Sequence, residues 1–327
     1  MDIRSAVSAN VSGILCVGLV CLDIVNVCDQ YPREDEDVRA AEQRWEKGGN
    51  AANSLAVLAQ LGVSCDFHGT VGSGPETEFV LSDMKSYGVG IELCVCHEGK
   101  KLPTTTAVVS RENGSRTIVH YRDLPELTVD DFKTKISLHH YKWIHFEGRN
   151  VIEVQKMIDA IDDHNKLRSD ANEKIKVSLE LEKSRPELLS LFHRADVVFV
   201  SKDFARYQNC QTAHDAVQQL GPKLRCKAKL VIAWGEMGAY AVEKNTTSEL
   251  GKFLHSPAYP PLVIVDTLAA GDTFNAAVIY SLFNGNSLHD ALTFGCQLAG
   301  IKCGQQGQRG IVNKMKQSGR ENQTNAK

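Results

Sequence analysis

The 327-residue chain contains no apolar run approaching the roughly 20 residues that a membrane-spanning helix needs. Its first apolar stretch, from Val11 to Leu22, is interrupted by Gly13 and Gly18 and stops at Asp23. It has no basic flank and no small-residue cleavage site, so it reads as a buried strand rather than a signal peptide. A strong charge of either sign is also missing: 37 basic against 40 acidic residues leave a net charge of −3. That balance gives neither nucleic acid nor an anionic membrane anything to bind, and a small anionic ligand would need a local site. The ten cysteines show no disulfide or zinc spacing. Cys16, Cys65 and Cys226 lie in or beside apolar runs, and Cys94-x-Cys96 has no matching His/Cys pair. They read as reduced thiols of a cytoplasmic protein, with no metal site. Asn113-Gly114-Ser115 and Asn245-Thr246-Thr247 match the glycosylation pattern but are expected to stay unmodified without a secretory signal.

What is present is an alternation of short apolar runs and helical periods. Strands are expected at 14–20, 65–71, 143–146, 176–181, 197–200, 230–234 and 262–265. Helices are expected at 50–61, 75–87, 151–165, 186–194, 272–284 and 288–303. Leu55, Leu58 and Ala59 share one helical face before Gly62, and Val154, Met157, Ile158 and Ile161 share another. Such alternation predicts an α/β fold: a mostly parallel central sheet with helices on both faces, in a three-layer α/β/α arrangement. Two segments, about 24–47 and 103–123, depart from it. The second sets Thr104–Val109 and Arg116–Tyr121 around Asn113-Gly114, a hairpin pattern. The two excursions are expected to pair into a small β-sheet lid beside one domain spanning 11–312. The polar ends, 1–10 and 313–327, are expected to be disordered.

The most informative segment is Asp266-Thr267-Leu268-Ala269-Ala270-Gly271-Asp272-Thr273-Phe274. Small residues occupy a strand-to-helix turn with one carboxylate at the helix start. Unpaired N–H groups and the positive end of the helix dipole make such a turn a site for an anion. Asp272 is then a candidate base beside a phosphate, the plainer alternative being an ordinary helix-terminal carboxylate. A second constellation is Gly48-Gly49-Asn50-Ala51-Ala52-Asn53. Asn50 is a candidate N-cap, and Asn53 lies about one turn on, so both amides can face sugar hydroxyls. Asp23 is placed at the end of the first expected strand, where open α/β sheets bind ligands. Trp234-Gly235-Glu236-Met237-Gly238-Ala239 is a glycine-bearing turn suited to a nucleotide pocket or simply to a bend.

These pieces, in this order, resemble the ribokinase-like (phosphofructokinase-B type) family of carbohydrate kinases. The Gly-Gly-Asn segment at 48–53 matches one of its fingerprints, and 266–272 matches its Asp-Thr-x-Gly-Ala-Gly-Asp fingerprint except at Ala269, where the family has glycine. Segments 18–23, 31–35, 43–45, 143–150, 198–203 and 294–300 are similar to the branch that acts on ketoses. The resemblance covers about residues 13–312. It implies ATP-dependent phosphorylation of the 1-hydroxyl of D-fructose, with Asp272 as general base and the N–H groups of Ala270, Gly271 and Asp272 as an anion hole. It further implies that Asp23, Asp35, Gly49, Asn50 and Asn53 hold the ketose, and that Arg116 and Lys202 approach the ATP phosphates. Gly235, Gly238, Ala239, Tyr259, Pro260, Pro261, Gly271 and Cys303 would line the adenosine and phosphate path. ATP with Mg²⁺ is the implied cofactor, K⁺ is a further candidate, and a homodimer through the lid is the implied assembly. The alternatives are a kinase of another sugar or a nucleoside, and a catalytically impaired sugar-binding relative. The chain departs from the family at Ser201-Lys202-Asp203-Phe204, where an Asn-x-x-Glu magnesium motif is common, and at Gly307-Gln308-Arg309-Gly310, where Gly-Phe-Asp-Gly is expected. At Ala269 a positive φ would cost about 1–2 kcal/mol, whereas a negative one would cost little.

Overall fold

The computed structural model describes residues 13–113 and 115–324. The tail at 1–10 and the last three residues lie outside them. An eight-stranded sheet forms the centre, in the order Leu254–Ser256, Ala239–Glu243, Lys229–Ala233, Val197–Ser201, Lys176–Leu181, Tyr141–Glu147, Gly13–Val17, Cys65–His68. The strand Ala239–Glu243 pairs antiparallel with both of its neighbours, and the remaining joins are parallel. Parallel strands buried on both faces need helices above and below, and the apolar runs supply side chains to both layers. Within Gly13–Val17, Leu15 and Val17 enter one core while Ile14 and Cys16 enter the other. This is the layered α/β architecture that the resemblance implies.

A separate four-stranded sheet stands beside it, in the order Glu42–Gly48, Cys21–Cys28, Thr104–Ser110, Arg116–Tyr121. Its central pair is parallel, with Leu22 opposite Thr104, and its outer pairs are antiparallel. The apolar run at 14–20 therefore does not make one strand. The chain leaves the large sheet after Val17 and enters the small one at Cys21. Asp23 consequently sits on a strand of the small sheet, not at the tip of a central strand. Continuous apolarity conceals the switch because both sheets bury those residues.

Three other expectations need correction. Residues 262–265 form no strand: Leu262, Val263, Ile264 and Val265 are exposed. The edge positions are taken by Ala239–Glu243 and Leu254–Ser256 instead, so the β-branched run has no strand to pair with. Residues 186–194 are a 3₁₀ helix rather than an α-helix. Ile311–Thr324 is helical where a disordered tail was expected. Its polar composition hides an anchored start, since Ile311 and Val312 are buried and Met315 packs on the core.

Candidate active site

The helix Ala270–Phe283 begins between the two sheets, packed against Asn50–Gln60 and Leu288–Cys303. Its N-cap is Ala269, in left-handed backbone at φ 58°, ψ 17°. That conformation costs a residue with a Cβ about 1–2 kcal/mol relative to the right-handed one. It is held by Thr273, whose N–H and hydroxyl both donate to the Ala269 carbonyl, at 3.0 and 2.8 Å. The Ala270 N–H donates to the Thr267 carbonyl at 3.3 Å, so it is already engaged in the turn. The N–H groups of Gly271 and Asp272 have no such partner among the described residues and leave the turn with two open donors. A Cβ placed on Gly271 would meet only open space, so the turn faces a cavity.

Asp272 itself is buried and accepts a 2.8 Å hydrogen bond from Asn53 Nδ2. Burial pushes its carboxyl up to about 7; the Asn53 bond and Lys47 oppose that rise, and Glu182 and Glu147 add to it. A carboxylate poised there is suited to accept a proton near neutral pH. Asn53 comes from the helix Asn50–Gln60, whose N-cap is Gly49 and not Asn50. Gly49 has φ 96°, and a Cβ there would lie 2.4 Å from the Leu19 carbonyl. Asn50 is the first helical residue, and its amide donates to Glu182 Oε2 at 2.7 Å. Gly48 is required for a different reason: a Cβ would lie 2.3 Å from the Asp23 carboxylate. Asp23 is buried, which raises its pKa.

Asp23, Gly49, Asn50, Asn53, Arg116, Ala270, Gly271 and Asp272 line one cavity of about 530 Å³. A second, mostly apolar cavity of about 440 Å³ is lined by Gly235, Gly238, Tyr259, Pro260, Pro261, Gly271 and Cys303. The two share Thr267, Ala270 and Gly271 as a common wall. Arg116 reaches this junction, its Nη1 donating to Thr267 Oγ1 at 3.5 Å.

Three candidate residues lie elsewhere. Asp35 occupies an exposed turn at φ 63° and lines neither cavity, because the segment between the strands ending at Cys28 and starting at Glu42 hangs beyond the small sheet. Ala239 is buried in the core and is absent from the lining of the apolar cavity, its strand pairing with Lys229–Ala233. Lys202 lies outside both linings: its ammonium bonds Glu236 Oε1 at 3.0 Å and sits 5.9 Å from the Trp234 ring centre.

Sequence reasoning missed the acidic wall. Glu147, Glu180 and Glu182 line the polar cavity together with Arg149, Lys183 and Arg185. Glu147 Oε2 accepts the Leu19 N–H at 2.8 Å, and Arg149 Nη1 donates to its other oxygen at 3.0 Å. Glu180 accepts from Asn275 Nδ2 at 2.9 Å while its Oε2 is buried without a partner. Burial, followed by the Asp272 charge, raises the Glu180 pKa strongly. The available signal was positional: each glutamate stands within one residue of the end of a central strand, where α/β sheets place ligands.

A profile of the pfkB family of carbohydrate kinases matches residues 11–314. A ketohexokinase of Mus musculus is 47% identical over 300 residues, covering 91% of this chain and 98% of its own. A ribokinase of Arabidopsis thaliana, solved with ribose and ATP, superposes with a TM-score of 0.76 at 18% identity, covering 93% and 98% of the two chains. The adenosine kinase of Sinorhizobium meliloti does so with a TM-score of 0.73 at 20% identity, covering 94% and 100%.

Proposed function

The chain belongs to the pfkB family of carbohydrate kinases, and we propose that it transfers the γ-phosphoryl group of ATP to the 1-hydroxyl of D-fructose, giving fructose 1-phosphate and ADP. The observation that carries this reading is a buried carboxylate, Asp272, at a helix start where a polar and an apolar cavity meet. The choice of fructose rests on the similarity to the mouse ketohexokinase.

In this reading the ketose lies in the polar cavity against Asp23, Gly49, Asn50 and Asn53, with its reacting hydroxyl beside Asp272. Adenosine lies against Tyr259, Pro260 and Pro261, and the phosphates run along Gly271 toward Arg116. Asp272 accepts the hydroxyl proton as the sugar oxygen bonds to phosphorus and the ADP oxygen departs. The N–H groups of Gly271 and Asp272 stabilise the charge on the transferring group without reorganising. Holding both reactants across one turn supplies the positioning on which this reaction chiefly depends. The small sheet, with Arg116 and Thr105 on the cavity wall, acts as a lid that keeps water from competing with the sugar.

Mg²⁺ accompanies ATP and neutralises phosphate charge when bound. Among the described residues no three His, Cys, Asp or Glu side chains are grouped to hold a metal ion, and a Mg²⁺ carried by the ATP phosphates would keep mostly water ligands. K⁺ dependence, cytoplasmic residence and a homodimer through the lid belong to the same proposal. A coupled ADP-release assay across fructose, ribose, tagatose and adenosine, with ³¹P NMR of the product, tests it. The highest kcat/KM for fructose and a 1-phosphate product are expected. A preference for ribose or adenosine, or no ADP release, would overturn it.

A further inference from the structure

Lys47 lies on the strand Glu42–Gly48 of the small sheet, and its Nζ donates to Asn53 Oδ1 at 2.6 Å. Asn53 Nδ2 in turn donates to Asp272 Oδ2 at 2.8 Å. Three residues from three elements thus form one relay. An ammonium can only donate, so Lys47 fixes which end of the Asn53 amide faces it, and the NH₂ end must face Asp272. Without that constraint the amide can turn and present its oxygen to the carboxylate, which favours the protonated acid. Lys47 does not line the sugar-side cavity. It lines a separate one of about 330 Å³, on whose wall Asn53, Leu268 and Ala269 also lie. Its hydrogen-bonded connection to the chemistry runs through Asn53, while its charge also favours ionised Asp272 across space.

We propose that Lys47 is a positioning residue that orients the Asn53 amide so that Asp272 is held as an ionised base. The inference rests on the reading of Asp272 as base. Gln308 supports the same arrangement: its Oε1 lies 3.5 Å from Lys47 Nζ and its Nε2 donates to the Asn53 carbonyl and to Thr273 Oγ1. Other charges bear on these groups as well. Asp83, Asp23 and the Cys21 thiol face Lys47, which burial makes less basic. Glu182, Glu147 and Glu180 face Asp272, and Arg149, Lys183 and Arg185 line the same cavity.

The test compares wild type, Lys47→Met and Lys47→Arg, with Lys47→Gln replacing Lys47→Met should the latter fail to fold. In each ligand-free protein the Asp272 carboxyl is titrated by ¹³C NMR, its resonance assigned by its loss in Asp272→Asn. In parallel, kcat/KM for fructose is measured against pH. Removing the ammonium should raise the Asp272 pKa by about half to one unit and move the acid limb of the rate profile with it. It should lower kcat by about tenfold or more, with KM for ATP little changed. Lys47→Arg should return both the titration and the rate close to wild type. An unchanged Asp272 titration in Lys47→Met, or no rescue by arginine, would overturn the proposal. The NMR arm needs no substrate, so failure of wild type to phosphorylate fructose would count against the proposed function and leave the role of Lys47 to be decided by the titration.

Discussion

Ala269 and Asp272 carry the chemistry of the turn at the scale of single residues. Ala269 has φ 58°, so its methyl group is accommodated at a cost that glycine would not incur. Ala269→Gly should stabilise the protein by about 0.5–1 kcal/mol in urea unfolding, the relief of strain being partly offset by the greater freedom of glycine in the unfolded chain. A loss of stability would show that the turn is not strained. For Asp272, burial raises the folded pKa to about 7, above the ordinary carboxylate value near 3.9. The folded protein therefore holds a proton that the unfolded chain releases, and this contribution to stability falls as pH rises from about 4 to 7. Asp272→Asn should accordingly gain about 1–2 kcal/mol over wild type at pH 8 and show a smaller difference at pH 4. Activity runs the other way, because the base must be ionised. In wild type, kcat/KM should rise with pH to a plateau above about 7, the acid limb reporting the free enzyme.

Among the elements, the alternation of short apolar runs with helical periods gave the α/β class directly, because strands buried on both faces read as continuous apolar runs between the helices that cover them. The order of the motifs was legible as well: the Gly48–Asn53 and Asp266–Asp272 segments meet through the Asn53–Asp272 bond. What was not legible depended on partners distant in sequence. Asp23 belongs to the small sheet, and a run buried in two successive sheets carries no mark where one ends. The glutamates at 147, 180 and 182 read as ordinary strand-end residues until two neighbouring strands bring them to one wall. The helix Ile311–Thr324 was hidden by its polar composition, although its first turn is anchored by the buried Ile311 and Val312. Truncation after Gly310 removes the buried Ile311 and Val312 and should cost about 3–5 kcal/mol in chemical unfolding. A loss below about 1 kcal/mol would return the segment to the status of a dispensable tail.

For the whole molecule, the large sheet and its helices fix one wall of the site and the small sheet supplies the other. Neither sheet alone holds both Asp23 and Asp272. Two cavities that share Thr267, Ala270 and Gly271 can be filled together. Fructose and a non-hydrolysable ATP analogue should therefore each raise the melting temperature, a ligand at one hundred times its Kd contributing about 2.7 kcal/mol. The central claim is that Asp272 removes the sugar proton, and the most direct measurement is turnover and sugar binding in Asp272→Asn. The variant should lose fructose phosphorylation by about three orders of magnitude or more in the coupled assay while calorimetry still detects fructose binding. Turnover near that of wild type would contradict the account.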